Sequence, residues 1–524
     1  MSADSFRLIF KNLAPSLVET EISTTLGVWY NSLFSAVEAS LSTLAKSLRL
    51  TEMQSVQSEL FTAFNLLRQS ADPNVVDALE KLVREAPDHQ LCRINVLDFA
   101  SKHGLDEEPV IASFLHATQM GLFELSWNVL CPACGGVLNT HATLRTVRRE
   151  EYVCELCAAG FKLTLDELVE VVFTVGVRAR TIAAHRPETL PIWEYYRQIL
   201  WGSGVDLPEA FGDAMENAIL DSVELPTGEK AQLSLPLPAG YIVIFEPVTH
   251  AVQFLHVAGE PTQQRQNVSV VYNNVRAPTE TIYLRPGPLR ISVENRTAAR
   301  VLPTVWVTGT AVHDLLARRK PFLTAKRLLS SQAFRDLYGT ETLDVDQQLQ
   351  ITSLTFLFTD LKGSTTLYKQ VGDLAAFHLV REHFEMLTQI VAAHGGAIVR
   401  TIGDAVMATF PTPDRAVAAA LQMREGMLRL NSQHMRDDLV LKIGIHEGPC
   451  LAVIQNGRQD YFGQTVNIAA RVQDLAVAHS IFATGQVVEN LQTSALLKDY
   501  ALNPIARGAA LRGITDEMMI YEIP

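Results

Sequence analysis

The stretch that decides the fold is GAIVRTIGDAVMATF, residues 396–410. Two apolar runs, 397–402 and 405–410, are joined by Gly403-Asp404 alone. A two-residue joint containing glycine between apolar runs predicts a tight β-hairpin. It also sets a carboxylate at the hairpin tip, with Arg400 four residues before it. A charge at the edge of an apolar hairpin needs a partner to offset its desolvation.

Upstream, ITSLTFLFTDLKGSTTLYKQ (351–370) reads as an apolar strand over 353–359 that ends at Asp360. A turn with Gly363 then opens a long helix at Ser364-Thr365, which runs to Gly395-Gly396. Downstream come a helix over about 413–432 and the strand LVLKIGIHEGPCLAVI. The order βαββαβ predicts an α+β, ferredoxin-like sheet. In that topology Asp360 and Asp404 converge. Taken singly, Asp360 reads as a helix N-cap and Asp404 as a turn residue. Together on neighbouring apolar strands they read as a site. Two hard oxygen ligands with no His or Cys beside them suit magnesium or manganese. The backbone N–H groups of 362–365 would face a polyphosphate. Two such ions would stabilise both the attacking and the leaving oxygens of a phosphoryl transfer.

A further segment, DYFGQTVNIAARVQDLA, covers 460–476. Gly463 marks a tight turn before a helix. Asn467 and Arg471 are spaced i, i+4 and share one face, among the apolar Ile468, Ala469, Ala470 and Val472. A polar pair set in an apolar helix reads as part of a site.

FTDLKGST, TIGDAVMATF, GIHEGP and DYFGQTVNIAAR stand in that order over 351–524. On these motifs the C-terminal third resembles the catalytic domain of class III adenylate/guanylate cyclases. The resemblance implies a head-to-tail homodimer with active sites at its interface. It implies that Asp360, Asp404 and the Leu361 carbonyl hold two Mg2+ or Mn2+ ions. Asn467 of the second copy would orient the ribose, and Arg471 would stabilise charge on the α-phosphate. Gly363, Ser364 and Thr365 would contact phosphates, and Arg512, in AALRGITDEMMIYEI, the triphosphate. Adenylate cyclases carry Lys and Asp as base readers. Asp460 matches, but Arg400 stands at the lysine position, and the two cations are not interchangeable. Guanylate cyclases carry an acidic residue there. The implied reaction is ATP to 3′,5′-cyclic AMP and pyrophosphate. The alternatives are a guanylate or mixed-specificity cyclase, or a catalytically weak nucleotide-binding regulator. Arg400 can instead pair with Asp460 and lower activity until the two are rearranged.

The rest of the chain is read as a multidomain array. Its 524 residues exceed one core. Residues 1–88 show helical periodicity. Residues 89–130 read helix, turn, helix, strand and resemble a winged helix. Cys131-Pro-Ala-Cys134 and Cys154-Glu-Leu-Cys157 predict a zinc ribbon over 131–172, with a closed, structural Zn2+ site. Residues 173–231 are mixed and helical, 232–312 have the period of a small β-sandwich, and 313–350 form a helical connector. LCPACGG, CELC and FRDLYGTETL resemble bacterial cyclases with a zinc-bearing N-terminal region. Cys92 and Cys450 read as core residues.

A net charge of −13 argues against a nucleic-acid partner, as do Asp106, Glu107 and Glu108 at the start of the second helix of the winged-helix-like segment. No apolar run reaches the ~18–20 residues of a membrane span. With no signal peptide and with paired CxxC motifs, the expected location is cytoplasmic.

Overall fold

The computed structural model describes residues 58–147, 151–216, 218–273, 280–308, 310–339, 349–362, 371–455, 457–476, 480–509 and 518–524. The chain divides into two compact units, Met1–Asn65 and Leu66–Pro524. Of the first, residues 58–65 are described and are helical; the helical reading of 1–57 lies outside the described residues. The second unit holds every other element.

Its first helix, α1 (Pro73–Glu85), begins where the Asp72 carboxylate accepts from the N–H groups of Asn74 and Val75 and Pro73 fills the first turn. Helices α2 (Val96–His103) and α3 (Glu107–Gln119) lead into strand β1 (Phe123–Leu130). Strand β1 pairs antiparallel with β2 (Val137–His141) on one edge and β5 (Val169–Val175) on the other. Between them, β3 (Glu151–Cys154) and β4 (Ala159–Lys162) form a two-stranded ribbon. Strand β5 therefore crosses the expected boundary at 172/173. The cysteine-bearing stretch is an excursion between two strands of one sheet. VEVVFTV is buried on both faces, and its pairing with β1 satisfies the backbone of the buried strand.

Two further sheets share one apolar core. One has the order β10-β12-β7, from Gln266–Tyr272, Gly287–Asn295 and Lys230–Leu237. The other has the order β11-β9-β8-β13-β6, from Ile282–Leu284, Ala251–Val257, Gly240–Glu246, Thr304–Val307 and Ile219–Ser222. Strand β6 begins upstream of residue 232, so this sheet recruits part of the segment expected to be helical. Helices α4 (Ala325–Leu329) and α5 (Gln332–Tyr338) then lead toward the C-terminal domain. Residues 340–348 of the expected connector lie outside the described residues.

The C-terminal sheet is built on β14 (Leu349–Lys362), β15 (Ala397–Ile402), β16 (Ala405–Phe410) and β17 (Val440–Gln455). Their spatial order, β15-β16-β14-β17, is that of a ferredoxin-like βαββαβ unit. Beyond β17 the sheet continues through β19 (Ile481–Thr484), β21 (Met518–Ile523) and β20 (Ile505–Ala509), and β18 (Arg458–Phe462) pairs with the far end of β17. Helices α6 (Asp373–Ala393) and α7 (Pro413–Gln433) cover one face through Leu387, Met423, Ile443 and Ile445. Helix α8 (Gln464–Leu475) covers the other, through Ile468 and Val472 against Phe482 and Ile520. Gly444 makes this second packing possible. A Cβ there would stand 2.2 Å from the Gln473 backbone nitrogen.

Candidate active site

The hairpin tip is as short as its sequence implies. Ile402 pairs with Ala405, and Gly403 sits at φ +64°. A positive φ at the first of two central residues is the requirement of a type II′ turn. Asp404 is thereby held at the end of β16. Thr359 of β14 pairs with Val406, so the same register sets Asp360 opposite Ala405, beside Asp404. The two carboxylates feel one another. Burial first, and then the charge of Asp404, raise the Asp360 carboxyl above its usual range, against the pull of Lys442. Lys442 stands directly across the ladder from Asp360 on β17. Sequence reading missed it, although a lone lysine in LVLKIGI was the available signal.

Among the described residues, Asp404 Oδ2 is buried with no hydrogen-bond partner. Leu361 is buried beside Asp360. On α8, Ile468, Ala469 and Val472 are buried, Ala470 and Arg471 are half-buried and Asn467 is exposed. Arg471 Nη1 is likewise buried and unpartnered. Among the described residues no hydrogen bond or ion pair joins Asn467 or Arg471 to Asp360 or Asp404 of the same chain. Arg400 and Asp460 do meet: Arg400 Nη1 lies 3.0 Å from Asp460 Oδ2. The other Asp460 oxygen accepts from the Tyr461 N–H at 2.8 Å. Gly363, Ser364, Thr365 and Arg512 lie outside the described residues.

The four paired cysteines form a second constellation. The sulfurs of Cys131, Cys134, Cys154 and Cys157 all lie within 4.8 Å of one another. Cys131 to Cys157 and Cys134 to Cys154 are each 3.8 Å apart. A disulfide would need ~2.05 Å. Four thiolates each ~2.3 Å from one tetrahedral zinc stand about 3.8 Å apart. The first knuckle is closed by the Gly136 N–H, 3.4 Å from Cys134 Sγ. Cys450 is buried and pushed up to about 12 by that burial, and burial also raises Cys92. Neither has the character of a nucleophile.

Residues 57–336 match the family of unknown function DUF5939, over more than half of the chain. The chain belongs to this family. In this member, residues 347–523 also match the adenylate and guanylate cyclase catalytic domain. The C-terminal third is thus a class III nucleotide cyclase domain. An adenylate cyclase from Anabaena cylindrica is 26% identical over 200 residues, covering 35% of this chain and 39% of that protein. A receptor-type guanylate cyclase from Caenorhabditis elegans is 26% identical over 170 residues, covering 30% of this chain and 15% of that protein. The chain spans about two fifths of the Anabaena relative's length. Among solved structures, the adenylyl cyclase CyaB from P. aeruginosa aligns at 24% identity and a TM-score of 0.31, over 34% of this chain and 96% of that one. Among the described residues no helix is long and apolar enough to cross a membrane.

Proposed function

We propose that this protein is an adenylate cyclase, converting ATP to 3′,5′-cyclic AMP and pyrophosphate at two sites shared between the C-terminal domains of a homodimer. The observation that carries the reading is a pair of orphaned polar atoms of opposite charge, Asp404 Oδ2 and Arg471 Nη1. Buried polar groups are rarely left unpaired. The anion asks for a cation. The guanidinium asks for an anion that its own chain's aspartates do not supply.

The residues present fit a pair of divalent ions. The donors are hard oxygens, and the Asp360 carboxyl is raised by burial first and then by the neighbouring charge of Asp404. Asp360, Asp404 and the Leu361 carbonyl would hold two Mg2+ or Mn2+ ions. When bound, these supply Lewis-acid stabilisation of the reacting oxygens. The remaining work falls to side chains and backbone. Asn467 of the second copy orients the ribose so that its 3′-hydroxyl faces the α-phosphorus. Arg471 opposes the charge that grows on the α-phosphate as the new P–O bond forms and the bond to pyrophosphate breaks. In this reading Gly363, Ser364 and Thr365 would donate backbone N–H groups to the phosphates, and Arg512 would add charge. Asp460 Oδ2 accepts from the adenine amino group, displacing Arg400, which then donates to a ring nitrogen. Guanine offers a carbonyl where adenine has its amine, so the pair favours ATP. The same ion pair supports a second reading, a guanylate or mixed-specificity cyclase, because a released Arg400 can donate to that carbonyl.

The four cysteines hold one structural Zn2+, supported by the 3.8 Å sulfur separations. None of the six cysteines is joined in a disulfide, which supports a reducing, cytoplasmic location. The N-terminal region acts as the regulatory part.

The test is chromatography of products from ATP and from GTP, each with Mg2+ or Mn2+. Cyclic AMP in excess supports the proposal. Cyclic GMP in excess overturns the base assignment, and no product from either nucleotide overturns the enzymatic reading.

A further inference from the structure

The stretch FRDLYGTETL carries a resemblance but, from sequence, no task. Its Arg335 has one. Helix α5 lies along the outer edge of β15. The Gln332 N–H donates to the Gly396 carbonyl at 3.1 Å, and Gln332 Oε1 accepts from the Ile398 N–H at 2.8 Å. One turn further on, Arg335 Nη2 donates to two carbonyls, Val399 O and Gln459 O, both at 3.1 Å. These belong to the residues immediately before Arg400 and Asp460. The pairing of β15 with β16 shifts register between Ile398 and Arg400, so Val399 is the extra residue of a β-bulge. A bulge re-aims the side chain that follows it. Here that side chain is Arg400, turned onto Asp460.

The other side of α5 faces the N-terminal region. The Phe334 ring meets Trp127 edge-on, with centroids 5.9 Å apart, and Gln119 Nε2 donates to the Leu337 carbonyl at 3.2 Å. A single short helix therefore touches β1 and α3 on one side and both base-reading strands on the other.

We propose that Arg335 is a positioning residue for base selection: by clamping Val399 and Gln459 it fixes the spacing of Arg400 and Asp460, and couples that spacing to the N-terminal region. This rests on the reading of Arg400 and Asp460 as base readers. A guanidinium suits the task because one nitrogen carries two hydrogens, and a charged donor strengthens both bonds. Without the clamp the bulge is free to relax, and the ion pair no longer presents its atoms at the spacing adenine requires.

The test uses the full chain and measures kcat and KM for ATP and GTP in Arg335→Met, Arg335→Gln and Arg335→Lys. Met keeps the apolar stem and removes both donors. It is expected to lower the ATP-over-GTP preference in kcat/KM by about tenfold, ~1.4 kcal/mol, mainly through the KM for ATP. Lys, which retains charge and several donors, is expected to recover most of that preference. As a comparator, Arg327→Gln breaks the ion pairs with Glu107 and Glu108 elsewhere on the connector and is expected to lower stability without changing the ratio. A folded Met or Gln variant with an unchanged ratio overturns this proposal alone. Loss of the fold in both shows a structural role and also overturns it. Absence of product from the unaltered protein overturns it together with the reading on which it rests.

Discussion

Glu107 and Glu108 stand at the start of α3, where a nucleic-acid-binding helix would need positive charge. The structure gives them another task. Glu108 Oε1 accepts from Arg327 Nη2 at 2.8 Å and from Arg415 Nη1 at 2.6 Å. Glu107 Oε2 lies 2.6 Å from Arg327 Nη2 and 3.3 Å from Arg415 Nη2. Arg327 precedes α5, and Arg415 opens α7, so four charges tie the N-terminal region to the catalytic domain. Burial lowers the pKa of the Arg327 guanidinium, but the charge of Glu108, followed by its hydrogen bond and the charge of Glu107, raises it on balance. Attraction therefore exceeds desolvation here.

Replacing Glu108 with Gln removes one of two carboxylates facing two arginines. The side chains of Glu108 and Arg327 are only 20% and 14% exposed, so solvent screens the loss weakly. Two charge-assisted hydrogen bonds at ~1.5–3 kcal/mol each, discounted for the amide that can still accept, put the cost at about 2 kcal/mol. The assay is the first unfolding transition in urea, followed by tryptophan fluorescence. Arg381→Ala serves as control, because Arg381 makes an i, i+4 pair with Glu385 and is 66% exposed; it should cost below ~0.5 kcal/mol. A double-mutant cycle with Arg415→Met should show coupling of about 1 kcal/mol or more. A cost for Glu108→Gln no larger than the Arg381 control would refute the reasoning.

Three other outcomes follow from single observations. The protein as purified should carry about one zinc per chain, and Cys157→Ser should lose it, as read by elemental analysis. His446, its Nδ1 2.9 Å from Thr484 Oγ1, is pushed down to about 4 by burial. Its unfolded value is ~6.5, so its contribution to stability is full above that pH and is lost as pH falls toward 4. The slope is up to ~1.4 kcal/mol per pH unit. In His446→Gln, urea midpoints between pH 7 and 5 should vary less than in the unaltered protein. Gly444→Ala should destabilise by about 1–3 kcal/mol and loosen α8, read as faster amide exchange over 464–475, because its Cβ would meet backbone rather than a movable side chain.

What the sequence made legible was local. The hairpin at Gly403-Asp404, the carboxylate of Asp360 near the end of β14 and the cysteine knuckles each declare themselves within a few residues. The βαββαβ order follows from the periodicity of segments long enough to count. The four further strands of the catalytic sheet are short, and nothing in ALNPIARGAA states its partner. The return of β5 to β1 across the cysteine excursion was hidden for the same reason. Pairing over forty residues is decided by which buried edge is free, not by local pattern. The Glu107, Glu108, Arg327 and Arg415 cluster and the Arg335 clamp join residues far apart in the chain. No one of these charges has a sequence neighbour that names its partner. The site was legible where one strand or one helix carries it, and illegible where the N-terminal region leans on it.

The most direct test of the central claim is cyclic nucleotide formation by Asp404→Ala, Arg471→Ala and an equimolar mixture of the two. If Asp404 holds the ions and Arg471 reaches the site of the second copy, each variant alone should be inactive while remaining folded. Random pairing in the mixture should leave half the dimers mixed, each with one intact site of two, restoring roughly a quarter of the unaltered rate. Undiminished product from Asp404→Ala would contradict the claim that the hairpin carboxylate is the centre of the site.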